Sequence, residues 1–417
     1  PGDGSLQLFH CPKRCGVTGV QDSPQTLELH DVEELIDFAR NSAFTTTGFG
    51  HLDTDGVVDS SFSPSVLITA RMTFSFSIAS ELGLKGCDEL AARGVKSLAL
   101  DFLDAKNGGF RSAPLGHEGA ELKSAYDTSF VLLAASTAHS VGVSGADRVA
   151  EQALEVLFDR FWREDLGIFA NSFTEDFSTV EPYLGANANM HAVEALIAAS
   201  TAMADSSLME RALEISDFVV NRHARSMGWM MPEHFDSQGG QDLNFNAQNP
   251  ADEFRPYGVT VGHLFEWSRL LLELHHSGIR GAEWIPRAAT SLYEKAKQIG
   301  WAVDGSEGFV YTVDWDAQPV VDERLMWVVA EAISAAAQID QSNLSDTAQG
   351  DVSDWRAHLA TMFLDTEKGS WHHELSADGT PSSTIAKGKP DAYHLLQALL
   401  IPQLPEGCGL LERIRNR

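Results

Sequence analysis

Basic residues are scarce in this chain, which carries 30 Lys and Arg against 59 Asp and Glu, for a formal net charge of -29 at pH 7. Such an acidic protein repels polyanions, so we expect neither a nucleic-acid partner nor an anionic membrane surface. Long apolar runs are also missing, since none approaches the roughly 20 residues of a transmembrane helix. The segment PGDGSLQLFHCPKRCG at the start of the sequence has no continuous apolar core of the signal-peptide type. We therefore expect a soluble protein that acts on a neutral small molecule.

Cysteine is rare as well. The four cysteines are Cys11, Cys15, Cys87 and Cys408, and no two of them form a CxxC pair. Cys11 and Cys15 together with His10 offer three metal ligands, but no fourth ligand is evident, so we predict no metal site. Sparse and scattered cysteine suits a reducing cytoplasm.

Apolar residues are plentiful, at 43% of the 417 residues, which is enough for a substantial core. Residues 1–28 read as an irregular lead-in. No Pro/Ser-rich linker divides the remainder, so we predict a single domain over residues 29–417.

One pattern recurs six times along that domain: an amphipathic helix, a turn with Gly and an aromatic residue, and an apolar helix. A marker residue near the start of each apolar helix shows the repeat, in the order Met72, Asp127, His191, His263, Met326 and His394. The markers are roughly 65 residues apart, which is too far for tetratricopeptide or ankyrin arrays. Apolar helices need partners on most sides and amphipathic helices on one side. A closed (α/α)6 barrel with short β-like loops at its mouth satisfies both, and an open solenoid is the alternative.

Polar residues on the apolar helices fall near the helix N-termini. In an alternating barrel all these N-termini meet at one mouth, where the helix dipoles favour developing negative charge. The segment Gly258–Leu274 shows this most clearly, because His263 and Glu266 are three residues apart and share a helical face. They resemble a proton-transfer pair, although a buried core histidine is an equally good interpretation of this segment alone.

Two chemistries fit such a mouth. Glycoside cleavage needs a pair of carboxyl groups, one of them protonated, but each candidate carboxylate here has a histidine or an arginine beside it. Proton transfer next to a sugar carbonyl suits histidine, whose pKa lies near working pH, and needs a fixed donor such as Arg71 to hold the enediolate oxygen. Neither a metal nor another cofactor is required, and no HExxH spacing is present. A non-catalytic sugar-binding barrel is the alternative outside enzymes.

The Gly-aromatic turns offer aromatic faces for stacking on a sugar ring. Their alternative role is to plug the ends of the barrel. The residues concerned are Phe49, Phe110, Phe169, Trp229, Tyr311 and Trp371.

Five segments together resemble the N-acylglucosamine 2-epimerase superfamily, over about residues 48 to 405. They are Ile68–Ala79, Asn187–Ala199, Met231–Asp236, Phe254–Leu271 and Lys389–Pro402. FRPYG, GHLFEW and GKPDAYHLLQALLIP look most like the aldose–ketose isomerase branch, whose members act on mannose or sulfoquinovose. The resemblance implies an (α/α)6 fold, a monosaccharide substrate and no cofactor.

The resemblance also implies catalytic roles. His394 would move the proton between C2 and C1 of the sugar. His263 would assist ring opening and act as the second acid/base, with Glu266 orienting it. Arg71 would steady the enediolate oxygen.

For substrate binding, the resemblance implies that Asn187 and His191, four residues apart on one helical face, bind sugar hydroxyls. Tyr126, Trp315 and Glu323 are expected in the pocket wall.

Four further residues stay outside this set. Glu233 and His234 lie in a family-like turn and either reach the pocket or hold the shape of the loop. His372 and His373 are adjacent on a strand-like turn, so at most one of them points inward.

Two questions stay open at this point. Both histidines are present, so residue inventory does not separate isomerisation from C2 epimerisation. A sulfonated sugar would need an extra cation, for which Arg255, Lys387 and Lys389 are candidates.

Overall fold

A computed structural model describes residues 29–417, so the predicted lead-in and the group of His10, Cys11 and Cys15 lie outside the described residues. The described part is mainly helical. The helices are α1 (Leu29–Ala39), α2 (Val66–Glu81), α3 (Cys87–Ser97), α4 (Ala125–Ser140), α5 (Ala146–Val156), α6 (Ala186–Met203), α7 (Ser207–Ser216), α8 (Val261–His276), α9 (Ile285–Gly300), α10 (Met326–Gln341), α11 (Ala348–His358), α12 (Tyr393–Leu400) and α13 (Leu410–Arg415).

The apolar helices α2, α4, α6, α8, α10 and α12 form an inner ring. Each contacts the next, and α12 packs back on α2, which closes the ring. The amphipathic helices α1, α3, α5, α7, α9 and α11 lie outside, each against an inner helix. The predicted (α/α)6 barrel is therefore confirmed, and the contact between α12 and α2 excludes an open solenoid.

The residue pattern explains which helices lie inside. Outer helix α5 buries Ala146, Val149, Ala150 and Ala153, a single stripe at helical spacing. Inner helix α4, in contrast, buries nearly every residue from Ala125 to Ala138, because it has neighbours on all sides. Among residues 29–417, no helix combines the length and the apolar character needed to cross a membrane.

Short antiparallel strands cover one end of the barrel. They are β1 (Leu122–Ser124), β2 (Trp162–Arg163), β3 (Ile168–Phe169), β4 (Ser172–Thr174), β5 (Tyr183–Gly185), β6 (His234–Asp236), β7 (Val259–Thr260), β8 (Thr312–Val313), β9 (Pro319–Val321), β10 (Arg324–Leu325) and β11 (Glu374–Leu375). They pair as β1–β4, β2–β3, β5–β6, β7–β8–β9 and β10–β11. Strands β1, β5, β7 and β10 each run directly into an inner helix. The strands therefore mark the end of the barrel where the N-termini of the inner helices lie.

A buried lysine fixes the start of two inner helices in the same way. Before α4, Lys123 Nζ donates to Asp104 Oδ2 at 2.8 Å, and before α12, Lys389 Nζ donates to Asp365 Oδ2 at 2.7 Å. Each lysine also donates to a glycine carbonyl in the turn that follows its aspartate. The same arrangement in the second and last repeats shows that Lys389 has a structural role.

Candidate active site

A cavity of about 740 Å³ opens at the mouth formed by the inner helix N-termini. Seven of the nine predicted site residues line it, namely Arg71, Tyr126, Asn187, His191, His263, Glu266 and His394. They converge because each lies near the N-terminus of its inner helix, and these helices are parallel neighbours in a closed ring.

Arg71 is a fixed cation at the wall of this cavity. Its Nη1 donates to Asp391 Oδ2 at 3.0 Å and its Nη2 donates to the Tyr126 hydroxyl at 3.1 Å. The guanidinium also lies 4.5 Å from the centre of the Phe130 ring. Burial favours the neutral form, but Tyr126 and Asp391 outweigh it and raise the pKa of Arg71. The side chain is therefore a permanent positive charge, held in place by its neighbours.

His394 has a carboxylate behind it. Its Nδ1 lies 2.8 Å from Glu331 Oε1, and the other oxygen of Glu331 accepts from Arg269 Nε at 2.9 Å. A carboxylate can only accept, so Nδ1 carries the proton and Nε2 keeps its lone pair. Burial lowers the pKa of His394, and Glu331 partly offsets this effect. The arrangement is that of a neutral imidazole base whose ring orientation is fixed.

His263 meets a different carboxylate from the one expected. Glu233 Oε1 lies 3.0 Å from His263 Nδ1, although the angle is not that of a hydrogen bond. Glu266 instead lies 3.6 Å from Arg269 and 3.7 Å from His191. Helical spacing put Glu266 on the face of His263, but its carboxyl group lies toward Arg269, one turn further along, and His191.

Trp327 lies against both catalytic candidates. Its ring centre is 5.3 Å from that of His263 and 5.6 Å from that of His394. Gly262 makes this approach sterically feasible, because a Cβ there would lie 2.3 Å from Trp327 Cζ3. Gly258, with a φ of 91°, forms the tight turn before α8, whereas Gly262 lies inside α8 and serves close packing. The two imidazoles therefore border the same stretch of the cavity.

Beneath the cavity, the buried guanidinium of Arg269 is surrounded by Glu194, Glu266, Glu273 and Glu331. Burial raises the pKa of Glu266 well above its usual value, and the charge of Glu331 adds to this effect. Burial acts the same way on Glu194 and Glu331, but Arg269 outweighs it and lowers both pKa values. Glu266 is therefore the member of the group that takes up a proton most readily, and in that form it can donate a hydrogen bond to a ligand.

Two sets of side chains here have the composition of a metal site. His191, Glu194 and Glu266 form one set, and Glu266, Glu331 and His394 form the other. Arg269 already lies 2.9 Å from Glu331 and 3.4 Å from Glu194. The guanidinium supplies the positive charge that a metal ion would bring, so a metal would have to compete with it.

Asn187 and His191 offer free polar atoms to a ligand. Within residues 29–417, Asn187 Oδ1 and His191 Nδ1 are buried and have no hydrogen-bond partner. Burial lowers the pKa of His191 to about 4, so the ring is neutral at working pH. Unpaired buried polar atoms are costly, and the hydroxyls of a sugar would satisfy both.

Glu323 and Trp315 do not reach the cavity. Glu323 lies in the link between β9 and β10 and accepts a hydrogen bond from Thr384 Oγ1 at 3.3 Å. Trp315 lies in the turn between β8 and β9, where its Nε1 donates to Leu243 O at 2.8 Å. Neither lines the cavity, since Trp315 is held by Leu243 and Glu323 by Thr384.

Glu233 and His234, at the start of β6, have different roles. His234 is tied to the Tyr183 hydroxyl and to Pro256 O, both at 2.8 Å, so it holds the loop. Glu233 faces His263 instead. The sequence left these two roles open because both residues lie on one short turn.

His373 is a cavity residue that the sequence analysis set aside. It lines the cavity, and its buried Nε2 has no hydrogen-bond partner in the described part of the chain. Burial lowers its pKa to about 4. His372 points the other way, with Nδ1 3.8 Å from Asp365. One of the pair faces inward, in agreement with the expectation that at most one would, but the predicted site included neither residue.

The aromatic residues of the cavity are mostly not those of the Gly-aromatic turns. Tyr311 is the one turn aromatic among the lining residues, which also include Tyr126, Phe254 and Trp327. Phe49, Phe110 and Phe169 are fully buried and pack between helices. These three residues and Trp371 therefore belong to the core and not to the cavity wall.

The sequence matches a known protein family and known relatives over most of its length. A model of the N-acylglucosamine 2-epimerase family matches residues 48–398. A D-mannose isomerase of Pseudomonas cannabina pv. alisalensis is 40% identical over 382 residues, which cover 89% of this chain and 91% of that protein. A D-mannose isomerase of Thermobifida fusca is 40% identical over 90% of this chain and 93% of that protein.

A likeness in three dimensions accompanies the likeness in sequence. A crystal structure of a D-mannose isomerase superposes with a TM-score of 0.82 at 25% identity, over 89% of this chain and 95% of that chain. The family model covers most of the sequence, and the two relatives align over nearly their whole length. This chain belongs to the N-acylglucosamine 2-epimerase family, as its motifs indicated.

Proposed function

We propose that this chain is a cofactor-independent aldose–ketose isomerase that interconverts D-mannose and D-fructose. The observation that carries the proposal is that two imidazoles, His263 and His394, line one sugar-sized cavity beside the fixed cation Arg71. The two relatives that share 40% of its residues are D-mannose isomerases, which supports this choice of substrate. The partner is therefore a free monosaccharide. The cytoplasm is the proposed compartment, since Cys87 and Cys408 are both free thiols.

The proposed reaction moves one proton between carbons. His394 Nε2 removes the proton from C2 of the open-chain aldose, the C1 carbonyl becomes an enediolate oxygen, and the same imidazolium returns the proton to C1. His263 carries the second proton from the C2 hydroxyl to O1, so the ketose forms with no net change in atoms. Arg71 stabilises the negative oxygen of the intermediate.

The charge states of the neighbouring groups suit this sequence. His394 is neutral before the reaction, and Glu331 is ionised and stabilises the imidazolium that forms. Protonated Glu266 can donate to a sugar hydroxyl, and Asn187 Oδ1 can accept from one. Asp391 orients Arg71 by accepting a hydrogen bond from its guanidinium. This role needs no contact between Asp391 and His263 or His394.

The cavity favours a neutral sugar over a sulfonated one. None of the candidate cations Arg255, Lys387 and Lys389 lines the cavity in the described part of the chain. Arg255 forms a bidentate ion pair with Glu181, at 2.6 and 3.0 Å. Lys389 is committed to Asp365.

Arg71 is thus the one lining cation within residues 29–417, and Glu253, Glu266 and Asp391 lie around the same space. A sulfonate would bring another negative charge to a site whose cation already has a partner. Sulfoquinovose is therefore the weaker substrate candidate.

Incubation of the purified protein with D-mannose in deuterated water, followed by NMR, tests the proposal. We expect fructose to form first, with deuterium at C1 to the extent that the imidazolium exchanges with solvent. Glucose formed faster than fructose would instead identify a C2 epimerase, in which a second base acts on the opposite face. No product at all would favour a sugar-binding barrel.

Matched histidine variants assign the roles. We expect His394→Asn and His263→Asn each to lower kcat by about 100-fold or more, the usual size of a general acid or base contribution. His30→Asn, at an exposed position on α1, is the control and should keep full activity. Unchanged kcat in the His394 variant would exclude the proposed base.

A further inference from the structure

A second cavity lies at the opposite end of the barrel, with a volume of about 690 Å³. Its walls come from later turns of the inner helices, including Phe74, Leu133 and Ile197. The C-terminal segment, residues 408–415, closes it from outside and contributes Leu410 and Leu411. The cavity is therefore mostly apolar along its sides, and nothing in the proposed reaction uses it.

Two carboxylates lie at its inner end. Glu194 and Glu273 line the inner end, where both approach the same guanidinium, that of Arg269, at 3.4 and 3.2 Å. Burial alone would raise the pKa of Glu194, but Arg269 outweighs it and holds the value at about 2. Glu194, with Glu273 beside it, thus supplies negative charge at the inner end.

A buried amide provides an independent sign of a ligand. Gln397 lines the same cavity and is only 2% exposed, yet its Nε2 has no hydrogen-bond partner among the described residues. Buried amide donors are almost always paired, by protein, water or ligand. An acceptor atom inside the cavity would satisfy it.

The charged residues at the outer end of the cavity do not neutralise the carboxylates of Glu194 and Glu273. Arg415 is the lining cation, but it is bound to Glu81 at 2.7 and 3.2 Å and to Ser140 O at 2.7 Å. Glu412 adds a third carboxylate to the lining. Arg413 lies close enough to stabilise the charge of Glu273, but it does not line the cavity.

We propose that this cavity is a second ligand site, which binds a small organic amine with an apolar body and a hydroxyl group next to its ammonium. The ammonium lies between Glu194 and Glu273 and so regains the ion pairing that a buried charge requires. The hydroxyl oxygen accepts from Gln397. The apolar body packs against Phe74, Leu133 and the C-terminal segment.

Leucinol is a suitable probe, and isohexanol is its counterpart without the amine. Calorimetric titration of the full chain, with no sugar present, should show leucinol binding at least about tenfold more tightly than isohexanol, since charge-assisted hydrogen bonds are the stronger kind. Equal affinities, or no leucinol binding at millimolar concentration, would overturn the proposal.

Variants locate the site. Ala198→Trp fills the cavity and Glu273→Gln removes one carboxylate, so each should weaken leucinol binding about tenfold or more, whereas Glu210→Gln on outer helix α7 should not. Wild-type affinity in Ala198→Trp would place the bound leucinol elsewhere and refute the assignment. If that variant does not fold, the comparison of the two Glu→Gln variants decides. Because binding is measured without turnover, the result is independent of the isomerase proposal.

Discussion

Replacing Glu331 by Gln removes the charge behind His394 and keeps the shape of the side chain. Glu331 does not line the active-site cavity, so we expect little change in KM. A hydrogen bond to a charged group contributes about 1.5–3 kcal/mol. If the hydrogen bond between Glu331 and His394 is weakened only in the transition state, the loss of this energy lowers kcat roughly 10- to 150-fold.

The pH profile gives a second signature of the same variant. Glu331 raises the pKa of His394 against the lowering effect of burial. Without the carboxylate that pKa falls further, so the neutral base persists to lower pH. The acidic limb of kcat/KM should therefore move to lower pH in Glu331→Gln.

Glu273→Gln is the matched control, because Glu273 also binds Arg269 but has no contact with His394 among the described hydrogen bonds and ion pairs. Initial rates with D-mannose across a pH series, with circular dichroism to verify folding, measure all three effects. A folded Glu331→Gln enzyme with unchanged kcat and an unshifted limb would refute the assignment of Glu331 as a positioning residue. So would an equal loss of kcat in the control.

Three other predictions concern stability and packing. Lys389→Met leaves the buried carboxylate of Asp365 without its cation and should lower the free energy of unfolding by about 3 kcal/mol in urea titrations; an unchanged midpoint would contradict the structural role of Lys389. Gly262→Ala places a Cβ 2.3 Å from Trp327 and should lower kcat/KM for mannose, measured from initial rates, roughly 10- to 100-fold; an unchanged kcat/KM would contradict a role of this close packing in the active site. Burial holds the pKa of His373 at about 4, below the ordinary value of 6.5, so the unfolded chain binds a proton that the folded protein does not. The free energy of unfolding should therefore be constant above about pH 6.5 and fall by about 3 kcal/mol between pH 6.5 and pH 4. His373→Gln should remove this loss in urea titrations across the same pH range.

The sequence predicted much of this fold because its signals are local. Six apolar helices alternate with amphipathic ones, and burial on all sides or on one side follows directly from those patterns. Polar residues near the start of the apolar helices, such as Arg71, His263 and His394, then had to meet wherever the ring closed. Family-like motifs around the same residues agreed with that placement.

The sequence did not predict which side chains of different repeats contact each other. Glu331 is a single carboxylate in an apolar helix, and Glu233 lies on a short turn. Neither position predicts which histidine the carboxylate faces. Arg269 was likewise indistinguishable from an ordinary ion-pairing residue in a helix. In each case a charged residue inside an apolar stretch indicated a buried ion pair. The sequence did not indicate which residue would be its partner.

The sequence by itself thus determined the number of repeats, the inner and outer helices and the end of the barrel where polar groups collect. Tertiary structure alone decided that Glu233 stands at His263, that Glu266 turns to Arg269, and that Trp315 and Glu323 stay outside the cavity. The physical reason is that helical periodicity fixes the face on which a side chain lies. The neighbour on that face comes from another repeat, dozens of residues away, and is chosen only when the ring closes.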